Sequence, residues 1–321
     1  MKRSKQARAG RKRAATLSQL PTEQTNPASR DLDRKSALQI AKIINAEDAK
    51  LARAVKQALP QIARAIDLIA AALRRGGRLI YVGTGTSGRL GALDAAECPP
   101  TFGVDPKTVQ YVIAGGPKAL GAAVEADEDS RQLGRREIAR RKPRKNDVVV
   151  GIAASGRTPF TIAAVEYARR HGAKTVAVTC NRNSELGRAA GVEIVVDVGP
   201  EVIAGSSRMK AGSAQKMVLN MLSSGAMTRL GYVYDNLMVN LHLKNTKLAE
   251  RGITILQRAA RIDRTTAEAA LSSAGNHVPV ALVMLKAGVS RRAAARALRN
   301  SRGHVREAIA AAKAELGSTS F

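Results

Sequence analysis

Residues 78–103 read RLIYVGTGTSGRLGALDAAECPPTFG. Leu79, Ile80, Tyr81 and Val82 form an apolar run bounded by Gly76-Gly77 and by Gly83. A short run that is apolar at every position predicts a strand buried on both faces of a parallel sheet. Gly83-Thr84-Gly85-Thr86-Ser87-Gly88 then turns the chain, and a helix is expected over 89–97, stopped by Pro99-Pro100. Strand, glycine-rich turn and helix start together make an anion cradle. Backbone N–H groups converge there at the positive end of the helix dipole.

The turn matches G-x-G-x-x-G at Gly83, Gly85 and Gly88, so dinucleotide binding is the first rival. That fold needs an acidic residue ending the next strand. The next apolar run, 108–113, ends in Ala114-Gly115-Gly116-Pro117 and offers none. Thr84, Thr86 and Ser87 instead add hydroxyl donors suited to a compact phosphate monoester. A glycine turn that only packs a helix on a strand is the structural alternative.

Further strands are expected at 108–113, 147–153, 174–179 and 193–198, all short and rich in β-branched residues, with helical patterns between them. This alternation predicts an α/β fold: a doubly wound five-stranded parallel sheet flanked by helices, with its site at the carboxyl ends of the strands. The third strand runs into Ala153-Ala154-Ser155-Gly156-Arg157-Thr158-Pro159, a second hydroxyl-rich turn with proline at a helix start. Ser155, Arg157 and Thr158 are placed on the other side of the same anion. Between strands two and three, a helical region over 118–141 carries the acids Glu125, Asp127, Glu128 and Asp129. Ahead of the sheet, Ser36 caps a helix over 37–46, and a longer one over 46–75 is kinked or split at Pro60. After it come a long helix reached through 199–216, another over 236–260, and four short helices that make a small all-α C-terminal domain. The expected domains are a disordered basic tail (1–20), the sheet domain with its N-terminal helices (21–260) and the helical domain (261–321).

Net charge is +27, and seven basic residues with no acid fall within the first thirteen positions. The remaining excess is spread along the chain. Charge alone raises nucleic-acid binding, but no such motif is present, and at 2% aromatics few rings are available for stacking bases. No apolar run approaches a membrane span, and no apolar segment follows the basic tail as in a signal peptide. Cys98 and Cys180 give neither a disulfide framework nor a zinc pattern, and the chain reads as cytoplasmic.

Four blocks carry a family resemblance: 77–103, 147–160 (DVVVGIAASGRTPF), 199–223 (GPEVIAGSSRMKAGSAQKMVLNMLS), and the N-terminal arm with 43–55 (IINAEDAKLARAV). The sequence resembles the N-acetylmuramic acid 6-phosphate etherases, relatives of the glucokinase regulatory protein in the sugar isomerase (SIS) superfamily. The resemblance implies an SIS fold, a homodimer, no metal and no cofactor. It also implies cleavage of the D-lactyl ether of an amino-sugar 6-phosphate by elimination and water addition. Glu97 matches the family's proton-donating acid and Glu128 its second catalytic glutamate. Around Glu128 the family pattern Val-Glu-Gly-Ala-Glu-Asp is altered, with Ala126 for glycine and Asp127 for alanine, which sets a like charge beside it. Ser206 and Lys210, in the 199–223 block, join the substrate-binding set. A dimer contact is the alternative for Lys210 and for Arg208. A phosphosugar-binding regulator of a kinase is the second functional reading; it would need neither glutamate. His242 is read as packing, and Cys98, with no histidine partner in its motif, is not read as a nucleophile.

Overall fold

The five apolar runs form strands β1 Leu79–Gly83, β2 Val109–Ile113, β3 Val148–Ile152, β4 Lys174–Thr179 and β5 Val192–Val195. All neighbouring pairs are parallel, in the order β2-β1-β3-β4-β5. The computed structural model describes residues 20–241, 243 and 245–318; the first nineteen residues of the basic tail and His242 lie outside them.

Among the described residues three α-helices precede the sheet: α1 Ala37–Asp48, α2 Leu51–Gln57 and α3 Leu59–Arg74. Pro60 is the second residue of α3. Its missing N–H costs nothing in a first turn, so it starts a helix and splits the expected 46–75 segment. Between the strands lie α4 Gly85–Phe102, α5 Arg131–Arg140, α6 Pro159–Arg170 and α7 Glu185–Ala189, and α8 Lys210–Arg229 follows β5. The last five are α9 Thr246–Ala260, α10 Arg264–Ser273, α11 Val278–Ala287, α12 Arg291–Asn300 and α13 Val305–Ser318.

Successive residues of each central strand face opposite helix layers. Leu79, Tyr81, Val150 and Val178 pack with α3, α8 and the far end of α4, while Ile80, Val82, Val149 and Ala177 pack with α5, α6 and α7. The C-terminal helices have an apolar cluster of their own, and α9 belongs to it through Ile253, Ile255 and Leu256.

Three helix boundaries differ from the sequence reading, each for a local reason. α4 continues through Pro99 and Pro100, because Cys98 and Phe102 are buried on its far turns; Gly103, at φ +64°, ends it. The acidic region is helical only from Arg131, where the Ser130 hydroxyl caps the N–H of Leu133. α9 begins only at Thr246, capped by Asn245.

The register positions the site. Gly83 is paired with Ile113 on one side and Ile152 on the other. The turns after β1 and β3 therefore leave the sheet side by side. That is where strand order reverses, the crevice in which open α/β sheets bind ligands.

Candidate active site

α4 opens without a cap. Thr84 is at its N-cap in extended backbone, yet its hydroxyl does not close on the helix. Thr84 Oγ1 donates instead to Glu128 Oε2 at 3.0 Å. The first N–H groups of α4, at Gly85, Thr86 and Ser87, have no intrahelical acceptor by the geometry of a helix start. Gly85 is at φ +48°, and a methyl there would lie 3.3 Å from Glu128 Oε1. Only glycine fits both the conformation and the approach of the carboxylate.

The second turn meets the first through the same acid. The N–H of Phe160, in the first turn of α6, donates to the Glu128 carbonyl at 3.1 Å. Thr158 is the N-cap of α6 and, like Thr84, makes no side-chain cap. Ser155 Oγ accepts from the Arg157 N–H at 3.2 Å, and all three residues of this turn are half-buried. The acidic turn is thus clamped between two helix N-termini, where a negative charge is stabilised. Arg89 holds the preceding segment onto α4 by donating to the carbonyls of Ala119 (2.9 Å) and Ala122 (2.7 Å).

The 199–223 block enters from the other side. Ser87 Oγ donates to Gln215 Oε1 at 2.9 Å, and a methyl at Gly212 would lie 3.3 Å from Thr86 Cγ2. Glu201, buried, accepts from the N–H groups of Lys210 (2.8 Å) and Ala211 (2.9 Å), so a carboxylate already occupies the start of α8. Lys210 does not face the cradle with its charge. Its side chain is 2% exposed, and Nζ is paired with Glu47 Oε2 at 2.6 Å. Glu47 also accepts from Asn26 Nδ2, which donates in addition to the Pro200 carbonyl, so this ion pair pins the N-terminal arm beside the 199–209 loop. Ser206 is half-buried in that loop, its N–H bonded to the Ile203 carbonyl.

Glu97 is elsewhere. It is exposed, ten residues beyond Ser87 on α4, a rise of about 15 Å. The helix expected over 89–97 runs from Gly85 to Phe102 and sets the glycine turn and Glu97 apart. One turn before Glu97, Asp94 is buried and accepts from Tyr81 Oη (2.8 Å) and Ser223 Oγ (3.0 Å). Burial raises its pKa even against those two hydrogen bonds. Burial, reinforced by Asp94, pushes the Cys98 thiol up to about 12, so it is a neutral packing group.

Two family models match: "Glucokinase regulatory protein N-terminal SIS domain" over residues 61–169 and "SIS domain" over 142–224. The chain is 50% identical over 289 residues to the N-acetylmuramic acid 6-phosphate etherase of Aeromonas hydrophila, covering 90% of this chain and 97% of that one. The chain belongs to the N-acetylmuramic acid 6-phosphate etherase family. It is 56% identical over 273 residues to the etherase of Symbiobacterium thermophilum (85% and 91% covered) and 49% over 293 residues to that of Klebsiella aerogenes (91% and 98%). This etherase-family chain has a glutamate at both 97 and 128. The structure brings the Glu128 carboxylate to Thr84 and its carbonyl to the first turn of α6, sets the turn bearing Thr84, Thr86 and Ser87 beside the turn bearing Ser155, Arg157 and Thr158, and leaves Glu97 far along α4 and the Lys210 ammonium on Glu47.

Gln215, Arg89 and Asp94 escaped the sequence reading. Gln215 and Asp94 lie at helical spacing among small and apolar residues and carry no motif of their own. Arg89, directly after the glycine turn, gave the better signal: a cation at the start of the cradle helix with an acidic segment downstream.

Proposed function

We propose that this chain is an N-acetylmuramic acid 6-phosphate lyase. It would cleave the D-lactyl ether and, with one water, release N-acetylglucosamine 6-phosphate and D-lactate. The observation that carries the reading is Glu128, an acid with no structural cap to make, held by Thr84 against the uncapped start of α4. The substrate's phosphate sits on the N–H groups of Gly85–Ser87, with the hydroxyls of Thr86 and Ser87 on one side and Ser155, Arg157 and Thr158 on the other. The sugar, opened to its C1 aldehyde, then extends past Glu128.

The aldehyde acidifies the C2 proton. One carboxylate removes it and one carboxylic acid protonates the departing lactate oxygen as the C3–O bond breaks. Water adds at C3 to the double bond left behind, and C2 regains a proton. Such transfers require two carboxyls in different environments. Glu128, half-buried in its clamp, is one.

Glu97 is the other, and we place it in trans. A hexose phosphate on the cradle does not reach a group about 15 Å along the same helix. Beside Glu97 the outer face of α4 carries Leu93, a large apolar residue 44% exposed. In a homodimer this face covers Leu93 and lays Glu97 of one copy over the crevice of the other. The substrate is a cell-wall sugar bearing a phosphate, which places the reaction in the cytoplasmic reuse of cell-wall amino sugars. A regulator that only bound a phosphosugar would have no use for a carboxylate in the anion crevice.

The test is release of D-lactate from N-acetylmuramic acid 6-phosphate by the purified chain. Glu128→Gln should lower the rate about a thousandfold. No D-lactate from the unmodified chain would refute the reading.

A further inference from the structure

Gln215 is 1% exposed, on the second turn of α8, and its side chain reaches the cradle through one hydrogen bond. Ser87 donates its only hydroxyl proton to Gln215 Oε1 at 2.9 Å. The other half of the amide, Nε2, is buried with no acceptor. Both facts run against what a phosphate site needs. A phosphate dianion offers only acceptors, so Ser87 must point its one proton at the ligand. In the arrangement seen that proton is turned to Gln215, and a buried N–H donor, the rarer kind of orphan, is left unmatched.

One motion resolves both. Rotation of the terminal amide of Gln215 by half a turn brings Nε2 to Ser87 Oγ. That torsion is broad and roughly two-fold, so both orientations are accessible without repacking. Ser87 then accepts from Gln215 and donates to the phosphate. The atom left unpaired is a carbonyl oxygen, which interiors tolerate better than an orphan N–H. We propose that Gln215 is a positioning residue for phosphate recognition. It takes the Ser87 proton in the arrangement seen and, by turning its amide, frees that proton for the 6-phosphate. The proposal takes the phosphate site from the functional reading above, but its test measures binding and does not require turnover.

The experiment is calorimetric titration with N-acetylglucosamine 6-phosphate, using N-acetylglucosamine as the phosphate-free control. The proteins are wild type, Ser87→Ala, Gln215→Met, Gln215→Glu and the Ser87→Ala/Gln215→Met double variant. Gln215→Met keeps the volume and removes both amide groups; its Kd should rise about tenfold, as should that of Ser87→Ala, one charge-assisted hydrogen bond being at stake. The double variant should bind no worse than Ser87→Ala alone, because Gln215 acts through Ser87. Gln215→Glu keeps the acceptor that holds the Ser87 proton and loses the donor, so it should bind more weakly than Gln215→Met. Additive Ser87 and Gln215 effects, as a packing role predicts, would overturn the proposal, and so would Gln215→Glu binding no more weakly than Gln215→Met. Should Gln215→Glu fail to fold, the double variant decides alone. In turnover the Gln215→Met defect should fall on KM and leave kcat within about twofold, as loss of uniform binding does. If the wild type binds the phosphosugar with the expected Ser87–Gln215 coupling but releases no lactate, the reaction assignment fails and the positioning role stands.

Discussion

Replacing Glu47 by glutamine removes one half of the buried pair with Lys210. The two side chains are 4% and 2% exposed, and Lys50 and Asn26 donate to the same carboxylate. Burial by itself would raise the Glu47 pKa, but the hydrogen bonds from Lys210, Lys50 and Asn26 override it and hold the group at about 2, against 4.5 in a free chain. A depression of that size corresponds to about 3 kcal/mol of folding stability at neutral pH. Orphaning a buried charge by mutation costs a similar amount, about 3–5 kcal/mol. Because the folded pKa is the lower one, this contribution is complete above pH 4.5 and disappears as pH falls from 4.5 towards 2. Urea unfolding of Glu47→Gln and wild type should therefore differ by about 3 kcal/mol at pH 7, with a gap that narrows below pH 4.5. A difference under about 1 kcal/mol at pH 7, or one that persists unchanged at pH 3, would refute the assignment of Lys210 to this pair.

Two other substitutions address the clamp on Glu128. Thr84→Val keeps shape but removes the donor to the Glu128 carboxylate; steady-state assay should show kcat reduced about tenfold with a smaller change in KM. Gly85→Ala combines a left-handed φ with a methyl pressed on Glu128 Oε1; lactate release should fall at least tenfold, while the circular dichroism spectrum stays that of the wild type.

Much of this was legible because the chemistry is local in sequence. The strands announce themselves by being apolar at every position. The two turns of the candidate site announce themselves by glycines and hydroxyls between a strand and a helix, and β1, β3 and both turns lie where those signals place them. What was hidden depends on partners far along the chain. Lys210 and Gln215 sit in one signature block and look alike as polar residues at a helix start. Glu47, 163 positions away, claims the first, and Ser87, 128 away, holds the second. Pro99-Pro100 reads as a helix stop by local rules, yet tertiary burial of Cys98 and Phe102 carries α4 past it. The extension leaves Glu97 where it was: the ten residues of helix between Ser87 and Glu97, a rise of about 15 Å, already set it away from the glycine turn.

The proposed pairing of Glu128 in one copy of a homodimer with Glu97 of the other is tested directly by mixing. Glu97→Gln and Glu128→Gln are each expected to release almost no D-lactate alone. When equal amounts are unfolded, mixed and refolded together, about half the dimers are hybrids. Each hybrid has one site with both glutamates intact, so about one quarter of wild-type activity should return. A mixture no more active than its separate components would contradict the shared site and put both carboxyls back in one chain.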